Sequence, residues 1–529
     1  AIQRTHTHCI FFSPYKNRRP SHSLLPSIPI LPSLPPSPEL GRAVRVGGKA
    51  NHSIHPSLLP ILCSGLRPRS VSPASPPTMA ARWAPPAGLI LLLLLAVLLP
   101  ARADRPARTG HADDDPEASS AVFQLYGNVY PHGLYYVAMS IGNPAKPYFL
   151  DVDTGSDLTW LQCDAPCVSC SKVPHPLYRP TKNKLVPCVD QLCASLHGGL
   201  SKNHKCDSPK QQCDYEVKYA DQGSSLGVLV NDSFAVRLAN ASVVRPSLAF
   251  GCGYDQEVGS STEVAPTDGV LGLGSGSISL LSQFKQHGIT KNVVGHCLSM
   301  RGGGFLFFGD NLVPYSRATW VPMARSAFRN YYSPGSASLY FGGWSLGVKP
   351  MEVVLDSGSS FTYFSSQPYQ ALVTALKGDL SKTLKEVSDP SLPLCWKGKK
   401  PFKSVLDVKK EFKSLVLNFA NGKKALMEIP PENYLIVTKY GNACLGILNG
   451  SEIGLKDLNI VGDITMQDQM VIYDNERGQI GWIRAPCDRI PNENTIHGFE
   501  EGYCWPQFPS SIFGIQNEEC AVNYRSNKE

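Results

Sequence analysis

The chain has 529 residues, enough for two domains with cores of their own. Its formal charge of +7 comes from scattered Lys and Arg, with small clusters such as 397–403 but no aromatic-interleaved basic stripe, which argues against a nucleic-acid partner. With 45 Gly and 44 Pro interrupting short Val, Ile, Leu, Phe and Tyr runs, an all-β protein is expected.

Residues 1–78 are rich in Pro, Ser, His and Arg, carry Cys9 and Cys63, and contain no Met; the first Met is Met79. After it come a basic stretch through Arg82, an apolar run over 89–99 and Pro100-Ala101-Arg102-Ala103, the pattern of a secretory signal peptide over 79–103. The apolar run falls short of the roughly 20 residues that a bilayer span needs, so a signal is preferred to a membrane anchor. The natural product is expected to start at Met79, with 1–78 upstream of it. Residues 104–120 are polar and acidic and read as a linker or short prosegment.

An ordered first half is expected over 121–311. Its strands are 135–141, closed by a turn at Asn143-Pro144, and the run into Phe149-Leu150-Asp151-Val152-Asp153. A cysteine-dense insert follows over 163–213, with Cys163, Cys167, Cys170, Cys188, Cys193, Cys206 and Cys213. Cys167-x-x-Cys170 with His175 nearby would suit zinc, but after a signal peptide disulfides are the better reading, with connectivity open. Fourteen of the 16 cysteines follow residue 160, among them Cys252, Cys297, Cys395 and Cys444. A hairpin is expected from 215–219 to 226–230, a buried strand over 268–274 and a short helix over 277–287.

The pattern restarts in a second half over 312–486. Strands are expected at 320–323, 338–346 and 353–356, and the best helical periodicity in the chain covers 368–384. Asn459-Ile460-Val461-Gly462-Asp463 repeats the apolar-apolar-Gly theme of Val270-Leu271-Gly272, a weak internal duplication. The tail, 487–529, lacks a hydrophobic terminus of the kind that directs lipid anchoring.

Two apolar strands each end in an acid, a hydroxyl, a glycine and a second hydroxyl: Asp153-Thr154-Gly155-Ser156 and Asp356-Ser357-Gly358-Ser359. If the halves face each other, two carboxylates share one site and hold one proton between them. One then activates a water while the other protonates a carbonyl oxygen, which hydrolyses a peptide without metal, cofactor or covalent intermediate. Glycine lets backbone approach the partner acid. Thr154 and Ser357 are placed to brace the turns, and Ser156 and Ser359 to hold the carboxylates. A phosphatase reading of Asp151-x-Asp153 fails because Gly155 stands where that chemistry wants Thr. A Ser-His-Asp hydrolase finds no elbow motif in a fitting context.

The chain resembles pepsin-type aspartic endopeptidases, within them the plant nucellin-like and nepenthesin-like branch, over roughly 135–483. The resemblance implies a bilobal, all-β fold with a cleft, catalytic Asp153 and Asp356, and a flap tyrosine at Tyr219, with Gly223 and Ser224 following. It also implies that Trp160 supports that tyrosine and that Cys395 pairs with Cys444. Ser357 stands where the family more often has Thr. Asp151 stands where an apolar residue is more usual; it is expected to be inert or hydrogen-bonded. Activity at acidic pH on protein or peptide substrates, a monomer, and a secretory-pathway destination are expected, extracellular first, with vacuole and endoplasmic reticulum as the alternatives. The alternative is a pepsin-like binding or inhibitor protein of little or no activity. Sequons at Asn231, Asn240 and Asn449 offer glycosylation sites on a secretory route.

Overall fold

The computed structural model describes residues 119–165, 170–198, 206–220, 223–257, 267–324, 331–380, 382–419 and 425–489. The signal-peptide reading, Cys167, and all of the tail beyond residue 489 therefore lie outside the described residues. No helix among the described residues is long and apolar enough to cross a membrane.

The first half supplies β1 (Ala121–Asn128), β2 (Leu134–Ile141), β3 (Lys146–Asp153), β4 (Trp160–Gln162), β5 (Asp214–Lys218) and β6 (Ser224–Arg237). It continues with β7 (Val243–Val244), β8 (Ser247–Glu257), β9 (Gly269–Gly272), β10 (Val293–Leu298) and β11 (Gly304–Phe308). Two helices accompany them: α1 (Gln191–Gly198), which the sequence pattern did not reveal, inside the cysteine-rich insert, and α2 (Leu280–Gln286). The Ser279 hydroxyl caps α2 by accepting from the Ser282 amide, which fixes where that helix starts.

The second half supplies β12 (Thr319–Pro322), β13 (Gly335–Phe341), β14 (Trp344–Ser345), β15 (Met351–Leu355), β16 (Thr362–Phe364), β17 (Lys385–Val387) and β18 (Cys395–Lys397). After them come β19 (Leu415–Phe419), β20 (Ala425–Ile429), β21 (Leu435–Val437), β22 (Ala443–Leu445), β23 (Ile447–Asn449), β24 (Asn459–Val461), β25 (Gln469–Asp474) and β26 (Gln479–Arg484). Its helices are α3 (Ser366–Asp379), α4 (Val405–Val408) and α5 (Asp463–Met466).

Two details depart from the sequence expectation. The single strand over 338–346 is a hairpin, because Gly342 and Gly343 both take positive φ (57° and 88°) and turn β13 back into β14. The helix over 368–384 ends sooner, at Asp379, where Leu380 becomes extended while still donating to the Leu376 carbonyl. Its buried stripe, Pro368, Leu372 and Leu376, has the four-residue spacing that marked it in the sequence.

A 14-stranded sheet runs β12-β26-β25-β10-β11-β1-β2-β3-β9-β4-β8-β6-β5, with β7 on β6, so it takes strands from both halves. The join is β10 against β25, where Val294 faces Tyr473 and His296 faces Val471. An eight-stranded sheet, β20-β19-β13-β15-β24-β16-β23 with β14 on β13, belongs to the second half, and β17-β18-β22-β21 form a small sheet beside it. The core is aromatic-rich. Tyr332 and Tyr473 pack with tilted rings, 4.3 Å between centroids, and the Tyr332 hydroxyl donates to the Leu273 carbonyl, tying the halves together.

Disulfides join Cys163 to Cys252, Cys188 to Cys206, Cys193 to Cys213, Cys297 to Cys487, and Cys395 to Cys444. Cys170 is also disulfide-bonded. His175, weighed above as a zinc ligand, instead places Nδ1 2.6 Å from Asp268 and so fastens the insert to the start of β9.

Candidate active site

Each Asp turn is threaded through the same local topology. β3 runs parallel to β9 with Val152 opposite Leu271, and the chain returns as β4, antiparallel on the other side of β9. In the second half β15 runs parallel to β24 with Leu355 opposite Val461, and β16 returns antiparallel to β24. Gly272 and Gly462 occupy the crossing points. A Cβ on the first would overlap Asp157 backbone, and one on the second the carbonyls of Ser359 and Phe361. Those glycines are there for close approach.

The two carboxylates sit in matching cradles, both buried. Asp153 accepts from the Gly155 amide at 2.8 Å and from the Ser156 hydroxyl at 2.5 Å. Asp356 accepts from the Gly358 amide at 2.9 Å and the Ser359 hydroxyl at 2.8 Å. Gly155 brings the turns into contact, since a Cβ there would overlap the Asp356 carboxylate.

Reciprocal bonds lock the turns. The Thr154 amide donates to Ser357 Oγ at 3.1 Å, and the Ser357 amide donates to Thr154 Oγ1 at 3.0 Å. Ser357 Oγ donates on to the Val152 carbonyl at 2.8 Å, and Thr154 Oγ1 to the Leu355 carbonyl at a looser 3.4 Å. Each half thus holds the strand end of the other.

Tyr219 follows β5, and its amide donates to the Gly223 carbonyl at 2.8 Å, which closes the hairpin base just before Ser224 opens β6. Trp160 Nε1 donates to the Tyr219 hydroxyl at 2.5 Å. Burial, and then the Asp153 carboxylate, hold the Tyr219 phenol well above its ordinary range, so it stays neutral. Asp221 and Gln222 at the tip lie outside the described residues.

Asp151 does not face solvent. It is buried on β3 opposite Tyr136 and Val270. Sequence reasoning also passed over three buried groups. Asp463, at the start of α5, is pushed well above the carboxylate range by burial and then by Asp151, Asp356 and Asp153. Tyr473 places its hydroxyl 3.5 Å from Thr154 Oγ1 and 3.2 Å from His296 Nε2. Burial drives His296 down to about 3, keeping its ring neutral. For Asp463 a signal existed: the first copy of the repeat has Leu273 after its glycine, the second an acid.

The sequons differ in exposure. Asn240 lies on an exposed turn, whereas Asn231 and Asn449 are half-buried and hydrogen-bonded to Ser247 and to Ser366 and Glu452.

Family models described as "Xylanase inhibitor N-terminal" and "Xylanase inhibitor C-terminal" match residues 135–310 and 346–483. Over 392 residues the chain is 52% identical to an aspartic proteinase of Oryza sativa subsp. japonica, covering 72% of this chain and 94% of that protein. The chain belongs to the plant pepsin-like aspartic proteases. A more distant member, "Aspartic proteinase nepenthesin-1" of Nepenthes gracilis, is 26% identical over 67% of this protease and 78% of its own length. The fold of soybean basic 7S globulin also superposes, with a TM-score of 0.56 at 18% identity over 71% of this chain and 99% of that one. The protease is of the aspartic endopeptidase type, and its fold is the bilobal one of that family.

Proposed function

We propose that this protease is a secreted, acid-active endopeptidase whose reacting groups are Asp153 and Asp356, acting on protein or peptide substrates. The observation that carries the reading is the pair of matched cradles, pressed together at Gly155 so that two buried carboxylates occupy one site. Such a pair retains one proton over a broad acid range. The ionised member takes a proton from a water between them, and the protonated member donates to the scissile carbonyl oxygen. As the C–N bond breaks, the acid that took the water's proton gives it to the leaving nitrogen, and a hydroxyl of the tetrahedral carbon returns its proton to the other acid, restoring the one-proton pair. Tyr219, kept neutral and held by Trp160, is the lid residue over bound peptide. The disulfide-bonded architecture and the signal-like run over 79–103 support secretion.

The test is hydrolysis of a protein substrate between pH 3 and 5 by the chain from Met79, beside Asp153→Asn. Turnover lost in the variant and blocked by a statine-type transition-state analogue supports the reading; equal activity in both samples ends it. The second reading, a binding or inhibitor protein, is favoured by the descriptions of the matched family models. Binding of the analogue without any turnover would select it.

A further inference from the structure

Residues paired across neighbouring strands point to the same face of a sheet, so the ladder through β1, β2, β3, β9 and β4 divides into rows. One row is Tyr126–Tyr136–Asp151–Val270–Trp160. Asp153 stands one pleat beyond Asp151 on the same face, about 7 Å along the strand. Leu150 and Val152 take the opposite face and are buried in the main hydrophobic core. At one end the row opens to solvent, where Tyr126 is 42% exposed and stacks on Tyr136 at 5.6 Å between centroids. At the other end Tyr219 packs with Trp160 and Val270, its hydroxyl held by Trp160. Burial and then the Asp153 charge raise the Tyr219 phenol, and Asp151 adds to them, which puts Asp151 within electrostatic reach of the lid. In the second half the corresponding row is Val354–Ile460–Tyr363, with an apolar residue where the first has the acid.

We propose that Asp151 is a specificity-determining residue, selecting peptides in which the side chain that flanks the scissile bond beneath Tyr219 is lysine or arginine. The assignment rests on Asp153 and Asp356 being the reacting groups. A peptide held at Asp153 under Tyr219 lays a side chain along this row, because the row is the floor between the reacting acid and the lid. An extended lysine reaches about 6 Å from its Cα, close to the spacing between Asp153 and Asp151. Its methylene stem rests on Val270 and on the rings of Tyr136 and Trp160, and its cation meets the Asp151 carboxylate. The cation lowers the proton affinity of the acid beside it, so the ion pair forms in the acid range where the dyad works. Leucine in the same place covers the acid with hydrocarbon and makes no charge-assisted bond to it. One such bond discriminates by about 10–100-fold. The second row offers no acid, so the preference is confined to one side of the scissile bond.

The test starts from cleavage sites of the full chain from Met79, mapped by mass spectrometry on a proteome-derived peptide library. One cleaved sequence is then remade with Lys, Arg, Gln or Leu on each side of the scissile bond in turn, and kcat/KM is measured at about pH 5. The parent is expected to cleave the Lys and Arg peptides about 10–100-fold better than the Gln and Leu peptides, on one side only. Asp151→Asn and Asp151→Val, the latter taking the residue of the other repeat copy, should bring that ratio to about one or below, while Asp151→Glu should keep a preference for the base. General damage to the site would lower all peptides alike and leave the ratio in place. A parent without preference for a base, or a preference that survives both Asn and Val, overturns the proposal. Should the parent turn over no peptide, the protease reading fails by itself, and selection is read from binding. Statine-type analogues carrying a lysine or a leucine side chain at the residue that replaces the scissile bond are then compared. Binding of the lysine analogue tighter by about tenfold or more, lost in Asp151→Asn, upholds the role of Asp151. Equal binding of the two analogues, or none, overturns it.

Discussion

The first and second Asp turns have the same crossing topology and the same cradle, yet the two halves carry buried groups that respond oppositely to acid. The first half supplies His296, on β10, which burial keeps neutral and holds down to about 3. The second supplies Asp463, which burial and neighbouring acids hold protonated far above its usual range. For the histidine, the unfolded chain binds the extra proton. Its contribution to stability is full above about pH 6.5 and is lost as pH falls toward 3. For the aspartic acid, the folded chain binds the extra proton, so stability is greatest at low pH and falls as pH rises through and above about 4. At acidic pH the two groups therefore act against each other, His296 lowering stability and Asp463 raising it. The two copies therefore share the geometry of the turns but not the charge beside them, since Asp463 stands where the first copy has Leu273.

The comparison breaks most visibly at the dyad. Asp153→Asn and Asp356→Asn should each lower kcat by about 10²–10⁴-fold with the fold retained, since either removes one of two acid–base partners. A variant that kept most of its turnover would show that the halves are not equivalent in the chemistry. Next in size is His296→Gln. Urea unfolding at pH 7 and pH 4 should show the parent losing about 3 kcal/mol more than the variant over that interval, because the variant has no buried ring to protonate. Equal losses would remove His296 from the account.

The cross-braces should be unequal. Ser357→Ala orphans the Thr154 amide and removes the 2.8 Å bond to Val152, a loss of about 1–3 kcal/mol in unfolding free energy. Thr154→Ala orphans the Ser357 amide but otherwise removes only the looser contacts, 3.4 Å to Leu355 and 3.5 Å to Tyr473, so its cost should fall toward the lower end of that range. The reverse order would mean that the looser bond is the tighter one in solution. The smallest effect is expected at Trp160→Phe, which removes the donor to the Tyr219 hydroxyl. A drop in kcat/KM of up to about tenfold, equivalent to about 1.4 kcal/mol, with stability nearly unchanged, would place that contact in substrate closure. A stability loss without a kinetic one would make it packing alone.

Much of this was legible in the residues. Local rules sufficed for β3, for the 215–219 to 226–230 hairpin, and for α3, whose Pro368, Leu372 and Leu376 spacing is a helical period. The Asp-(Thr/Ser)-Gly-Ser turns were equally plain, because the motif, weak as a single copy, occurs twice, once in each half. Short-range signals failed where a fold is closed by distant partners. α1 carries little periodicity and is held in an insert pinned by Cys188–Cys206 and Cys193–Cys213. The hairpin of β13 and β14 depended on reading two adjacent glycines as a turn rather than as strand residues.

The sequence alone determined that there are two acids at two like turns, which glycines must stand behind them, and that the cysteines belong to an oxidised framework. Those are one-dimensional facts, set by residue type and spacing. Only the tertiary structure decided that Thr154 and Ser357 exchange bonds across the halves, that β10 joins β25 in one sheet, and that Cys297 reaches Cys487. It also decided that Asp151 points into the protein rather than out of it. The physical reason is the same for each: whether a polar side chain is free, bonded or coupled depends on which distant strand covers it, and no local period records that.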